Sequence, residues 1–172
     1  ISSEVGGRRR LLDQPPILFH VDEKGDLVRA REAMEDYRLS LSDSVRVLFD
    51  RYRLEDIAVK VVGIGSVGMR CLVGLFSSAE GDPLLLQFKE ACPSVLAPYA
   101  GDSVYPNQGQ RVVTGQRLMQ SSSDIFLGWT KGAQQGRFYY WRQLRDMKGS
   151  ALIELFNPPA MTYYAIVCGW TL

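Results

Sequence analysis

From Leu27 onward the apolar positions step by three and four. Leu27, Ala30, Met34, Tyr37 and Leu41 fall on one helical face. Ser40, Ser42, Asp43 and Ser44 then supply capping chemistry, and Val45, Leu48, Phe49 and Tyr52 continue as a second stripe. The pattern predicts a helical hairpin or one kinked helix. After Leu54-Glu55-Asp56 the period shortens to two. Ile57 to Val62 reads as a strand running into Gly63-Ile64-Gly65-Ser66-Val67-Gly68, and Met69 to Phe76 reads as a strand leaving it. Gly81-Asp82-Pro83 marks a turn. Leu84 to Lys89 follows as a third strand, with Leu84, Leu86 and Phe88 on one face and Leu85, Gln87 and Lys89 on the other.

A proline-punctuated loop covers Pro93 to Pro106. A helix is predicted over about 108–121, with Val112, Val113, Leu118 and Met119 as its apolar stripe. Ile125 to Trp129 and Arg137 to Trp141 read as aromatic strands joined by a glycine-containing hairpin loop. Asn157-Pro158 opens a last helix as cap and first position. Residues 1–26, with Pro15-Pro16 and scattered charges, read as a loose lead-in. Short links between these elements favour an α+β fold: an antiparallel sheet of about five strands, one long helix packed across it, and a helical segment before it. The boundaries expected are a lead-in and helical segment over 1–53, the α+β domain over 54–150, and the start of a following helical region over 151–172.

Composition narrows the function classes. The 172 residues carry a formal net charge of +1, which gives no electrostatic footprint for nucleic acid. Arg8-Arg9-Arg10 is short and is expected to be a solvated tail. No run of about 18 uncharged apolar residues is present, so no membrane-spanning helix is expected. Cys71, Cys92 and Cys168 are far apart and the only histidine is His20, so no zinc site assembles from ordinary ligand spacing. Buried-looking contexts point to reduced thiols and a cytoplasmic protein. His20 reads as structural, which leaves Ser-His and Cys-His nucleophile schemes without support. The chain starts at Ile1 and stops at Leu172 inside an apolar run, and both ends read as cut points.

The chemistry concentrates in the glycine turn. Glycines let backbone N–H groups approach an anion without a side chain in the way. A lysine on an adjacent strand, Lys89, would add a point charge to the same phosphate. Gly63, Gly65, Ser66, Gly68 and Lys89 are therefore the candidate nucleotide-binding residues. Two other readings stay open. The glycines would also serve a hairpin that needs positive φ. A dinucleotide-binding fold would use the same spacing, but requires a helix directly after Gly68.

Lys60 to Gly68, Gln87 to Ala91, Gly109 to Val113, Gly115 to Gln120 and Arg142 to Ser150 closely resemble a bacterial family of uncharacterised conserved proteins, a domain of unknown function. That family is distantly similar to aminoglycoside phosphotransferases and protein kinases, and the order of elements here is the layout of a kinase small lobe. The resemblance implies that Gly63, Gly65 and Gly68 cover the phosphates of ATP and that Lys89 holds the α- and β-phosphates. It also implies Mg²⁺ held by carboxylates outside this chain, because the family's Gly-Asp-x-His-x-x-Asn type segment does not occur here. The chain would then be one part of a larger protein whose partners are a nucleotide and the rest of its own polypeptide. One departure stands out. Between Ser103 and Ser123 there is no Asp or Glu to tether Lys89, and Thr114 stands where an acid is expected, which leaves room for a scaffold domain that has lost nucleotide chemistry.

Overall fold

A computed structural model describes residues 2–6, 8–21, 23–63, 68–132, 136–144 and 151–170. The architecture is α+β. A six-stranded antiparallel sheet has the order β3-β4-β5-β6-β8-β7, formed by β3 (Leu18–Phe19), β4 (Arg53–Lys60), β5 (Cys71–Ser77), β6 (Pro83–Glu90), β7 (Gly128–Lys131) and β8 (Phe138–Gln143). A separate two-stranded hairpin joins β1 (Ser2–Val5) to β2 (Arg8–Leu11). The sheet therefore has one strand more than expected, and the lead-in is not loose. Leu18 pairs with Lys60 and Phe19 with Val59, which adds a short edge strand beside β4.

Helix α1 (Glu23–Ser40) lies on one face of the sheet. Its expected stripe is the one that packs: Ala30, Tyr37 and Leu41 are buried, with Leu27 and Met34 half-buried against the same core. Helix α2 (Asp43–Phe49) begins after a break at Leu41-Ser42, so the segment is two helices, and Phe49 is its buried anchor. Opposite them, Leu84, Leu86 and Phe88 of β6 meet Ile57, Phe76 and Trp141. This apolar layer is closed by aromatic rings. Phe88 sits 3.9 Å from Trp141 between centroids, and Tyr37 makes an edge contact with Phe49 at 5.1 Å. Ring pairs in these offset and tilted arrangements add to the area they bury.

The other face of the sheet carries a smaller core of Leu11, Leu18, Ala58, Val73, Leu75 and Leu144, with Leu85 packed against it. Arg8 to Arg10, expected as a solvated tail, form β2 instead. What holds that strand is a tertiary bond: the Leu11 N–H donates to the buried Asp56 carboxylate at 2.8 Å. A polar-looking run becomes a strand because its neighbour Leu11 is buried and its amide finds a charged acceptor.

After the four-residue helix α3 (Ala97–Ala100), helix α4 (Gln108–Met119) starts with Asn107 as N-cap, whose side chain accepts from the Gln110 N–H at 3.2 Å. Its expected apolar stripe is only partly used. Val113 is fully buried, but Leu118 and Met119 are 80% and 86% exposed. The helix packs against β7 and β8, and its last turn still reaches back to β7 through Arg117, whose guanidinium lies 5.9 Å from the Trp129 ring centroid. Gly109 makes this contact possible, since a Cβ there would collide with the backbone carbonyl of Tyr139. A 3-10 turn (Ile153–Leu155) leads to α5 (Pro158–Trp170), capped as expected by Asn157, which accepts from the Ala160 N–H at 2.9 Å.

Candidate functional site

The glycine turn links β4 to β5, and these two strands pair antiparallel from Arg53↔Ser77 to Val59↔Leu72. A strand, not a helix, therefore follows the turn, which is the geometry of a hairpin and leaves no place for the helix that a dinucleotide fold requires. Gly63 and Gly68 bound the turn, and Gly68 has φ +83°, a conformation that side chains disfavour. Gly65 and Ser66 lie outside the described residues.

Lys89 stands on β6 directly opposite Cys71, the first residue of β5 after the turn, and opposite Tyr140 on β8. Alternation along β6 places it on the face of Gln87 and Leu85, away from α1. The Gln87 amide donates to the Cys71 thiol at 3.2 Å on this face. Burial pushes that thiol's pKa up from its ordinary value of 9.0. The bond from Gln87 and the charges of Lys89 and Lys60 act in the opposite direction. Two ammonium groups thus act on one sulfur at the turn end of the sheet. Sequence reasoning missed Lys60. Its signal was available: it is the last residue of β4, three positions before Gly63.

Helix α4 shares this face. The Arg117 guanidinium lies 5.9 Å from the centroid of Trp129, and Trp129 pairs with Tyr140, the neighbour of Lys89. No carboxylate pairs with Lys89 or Lys60 among the described residues, and α4 offers Thr114 where an acid was expected. The arginines of α4 are structural. Arg111 donates to the Cys92 carbonyl at 2.9 Å and Arg117 to the Leu127 carbonyl at 2.7 Å.

Glu90 turns to the opposite face, as the alternation predicts, and has its own partners. It accepts from Arg137 at 2.9 Å and from the backbone N–H of Arg70 at 3.0 Å. It fixes the exit of the turn and does not reach toward Lys89. The arrangement is a cationic strip at the mouth of a glycine hairpin, fixed by β-ladder register. Such a strip can attract and orient an anion. Among the described residues no group of three or more potential ligands is placed to hold a metal ion.

His20 is structural, as expected. Its Nδ1 lies 2.8 Å from Asp13 and its Nε2 3.2 Å from Asp56, so both ring nitrogens face carboxylates. Of the three cysteines only Cys71 is buried; Cys92 and Cys168 are exposed, and none of the three is in a disulfide among the described residues. Among the described residues no helix is long and apolar enough to cross a membrane.

The family model for uncharacterised proteins conserved in bacteria, DUF2252, matches residues 2–172. The chain belongs to this family. The match extends over the lead-in as well as the sheet, so the β1–β2 hairpin, β3 and α1 fall within the DUF2252 region along with the glycine turn. No curated protein and no solved structure matches the chain.

Proposed function

We propose that this DUF2252 chain is the nucleotide phosphate-binding lobe of a kinase-like bacterial protein of the cytoplasm, with ATP as its ligand. In this reading the amides of the glycine turn and the Lys89 ammonium meet the phosphates, and Lys60 adds a second positive charge. Mg²⁺ and the carboxylates that hold it belong to other parts of the polypeptide, so the chain alone does not transfer a phosphoryl group. The observation that carries the reading is the register Cys71↔Lys89, which sets the lysine one ladder position from the residue where β5 leaves the turn. The chain order of strand, glycine turn, strand, lysine strand, helix and two further strands adds support, as does the position of α4 on the lysine face.

Isothermal titration of the intact protein with Mg-ATP, wild type against Lys89→Ala, tests it. Binding weakened about tenfold or more is expected from the loss of one charge-assisted contact. Equal affinity in the two proteins removes the proposal.

A second reading has its own observation. Lys89 lacks an acidic partner on α4, and a kinase-like site that has lost this tether would serve as a binding scaffold. That reading predicts no phosphate release or transfer by the intact protein with any nucleotide, and measured turnover would end it.

A further inference from the structure

Lys89 and Glu90 are neighbours in sequence, and alternation sends their side chains to opposite faces at the same end of the sheet. The ladder between β5 and β6 runs to Cys71↔Lys89. One position further, the Glu90 backbone N–H donates to the Arg70 carbonyl at 2.9 Å. A regular antiparallel pair would return a second bond from the Arg70 N–H to the Glu90 backbone carbonyl. Here that N–H donates instead to the Glu90 carboxylate, Oε2, at 3.0 Å. One residue therefore holds both backbone groups of Arg70, two positions after Gly68 and its φ of +83°.

The carboxylate is itself held in place. Its other oxygen, Oε1, accepts from the Arg137 guanidinium at 2.9 Å, and the Glu90 side chain is only 12% exposed. Arg137 stands just before β8, where its carbonyl accepts from the Gly132 N–H at 2.9 Å and closes the β7–β8 hairpin. The next residue of β6's exit adds a backbone bond, from the Ala91 N–H to the Phe138 carbonyl at 2.8 Å. The end of β6 thus ties the exit of the glycine turn to the start of β8. Bonds from an N–H or a guanidinium to an ionised carboxylate are stronger than neutral ones. The guanidinium also offsets a negative charge that would otherwise oppose an anion at the turn.

We propose that Glu90 is a positioning residue for anion binding at the glycine turn, with Arg137 as its charge partner. The inference rests on the nucleotide reading above and gives Glu90 no contact with the ligand. Lys89 meets phosphate from one sheet face. Glu90, on the other, fixes Arg70, so the backbone leading out of Gly68 keeps one course. Without the carboxylate the Arg70 N–H is released, and the cost of re-ordering the turn's exit then opposes binding.

The test is isothermal titration of the intact protein with Mg-ATP, paired with amide hydrogen exchange. Glu90→Ala is expected to bind about tenfold more weakly, with faster exchange confined to the amides beside the turn, Arg70 first. Glu90→Gln keeps an acceptor for the Arg70 N–H and is expected to restore affinity to within about threefold of wild type. Arg137→Ala leaves the carboxylate unbalanced and is expected to weaken binding about threefold, more at low salt. Unchanged affinity in Glu90→Ala, while Lys89→Ala still loses it, overturns this role and leaves the nucleotide reading standing. Weaker binding with exchange raised along the whole of β5 and β6 also overturns it, because the sheet and not the turn has then failed. A wild-type protein that does not bind Mg-ATP removes both.

Discussion

The phenol ring of Tyr37 lies flat on the indole of Trp141, with centroids 4.0 Å apart and planes 14° from parallel. Its hydroxyl donates to the Phe126 carbonyl at 2.8 Å. One side chain of α1 thus clamps the sheet through β8 and the loop before β7. Tyr37→Phe keeps the stack and strands a buried carbonyl, at a cost of about 1–2 kcal/mol. Tyr37→Ala also opens a void and is expected to cost about 3–5 kcal/mol. Urea denaturation of both variants checks the order, and equal midpoints would contradict this role for the hydroxyl.

The same burial sets an alkaline limit. Desolvation holds the Tyr37 pKa well above its ordinary value of 10.0, and Asp124 pushes in the same direction. Burial also raises Tyr139 and Tyr140. A folded-state pKa above the unfolded one means that stability is fully present below the unfolded value. As pH rises past 10, the unfolded chain ionises first and stability falls. Thermal melts are expected to be level from neutrality to about pH 9 on this account and to drop beyond 10, less steeply in Tyr37→Phe.

Asp56 is the polar centre of the second core. It is 3% exposed, accepts from the Leu11 and Ile57 amides at 2.8 and 2.9 Å, faces His20, and lies 3.7 Å from the Arg10 guanidinium. Asp56→Ala removes all of these partners at once. A loss of about 3–5 kcal/mol is expected, as for breaking a buried ion pair from one side. Hydrogen exchange at the Leu11 amide is expected to become fast, because that amide bridges β2 to the sheet. Protection retained at Leu11 would show that the hairpin is held by other contacts.

These relationships explain which parts of the fold could be read in advance. The alternation of Leu84, Leu86 and Phe88, and the stripe from Leu27 to Leu41, are local patterns that packing amplified. The sheet's antiparallel order followed from short links. β2 was hidden because Arg8 to Arg10 read as polar, while the bond that fixes the strand comes from Asp56, 45 residues beyond Leu11. Ile125 to Leu127 looked like strand but forms a turn, since Asp124 caps it by accepting from the Phe126 N–H at 2.9 Å. β7 starts at Gly128 instead. At the candidate site Lys89 was legible from spacing. Lys60 was visible as a strand-end lysine three positions before Gly63 but was not singled out, because its approach to Cys71 comes from sheet register, which sequence spacing does not display.

The three thiols are expected to separate by reactivity. Cys71 is buried and its pKa is raised, chiefly by desolvation, so little thiolate forms near neutrality. Cys92 and Cys168 are exposed. Iodoacetamide followed by peptide mass spectrometry is expected to modify Cys92 and Cys168 first and to reach Cys71 only on unfolding. Early labelling of Cys71 would mean that the lysine face opens in the native state.

Gly109 tests the packing of α4 on the lysine face. Its place against the Tyr139 carbonyl and the Trp129 Cβ leaves no room for a methyl group, and the obstructing atom is backbone, which cannot rotate aside. In an exposed helix, Gly→Ala stabilises by up to about 1 kcal/mol through propensity. Here overpacking opposes that gain and is expected to cost about 1–3 kcal/mol or more, so Gly109→Ala should destabilise. Gly115 is the matched control on the same helix: a Cβ there meets nothing within 4 Å, so Gly115→Ala should stabilise. Opposite signs for the two substitutions in chemical denaturation are therefore expected. A stabilising Gly109→Ala would show that α4 does not sit this closely on β8, and the strip formed by Lys60, Lys89 and Tyr140 would lose its neighbouring wall.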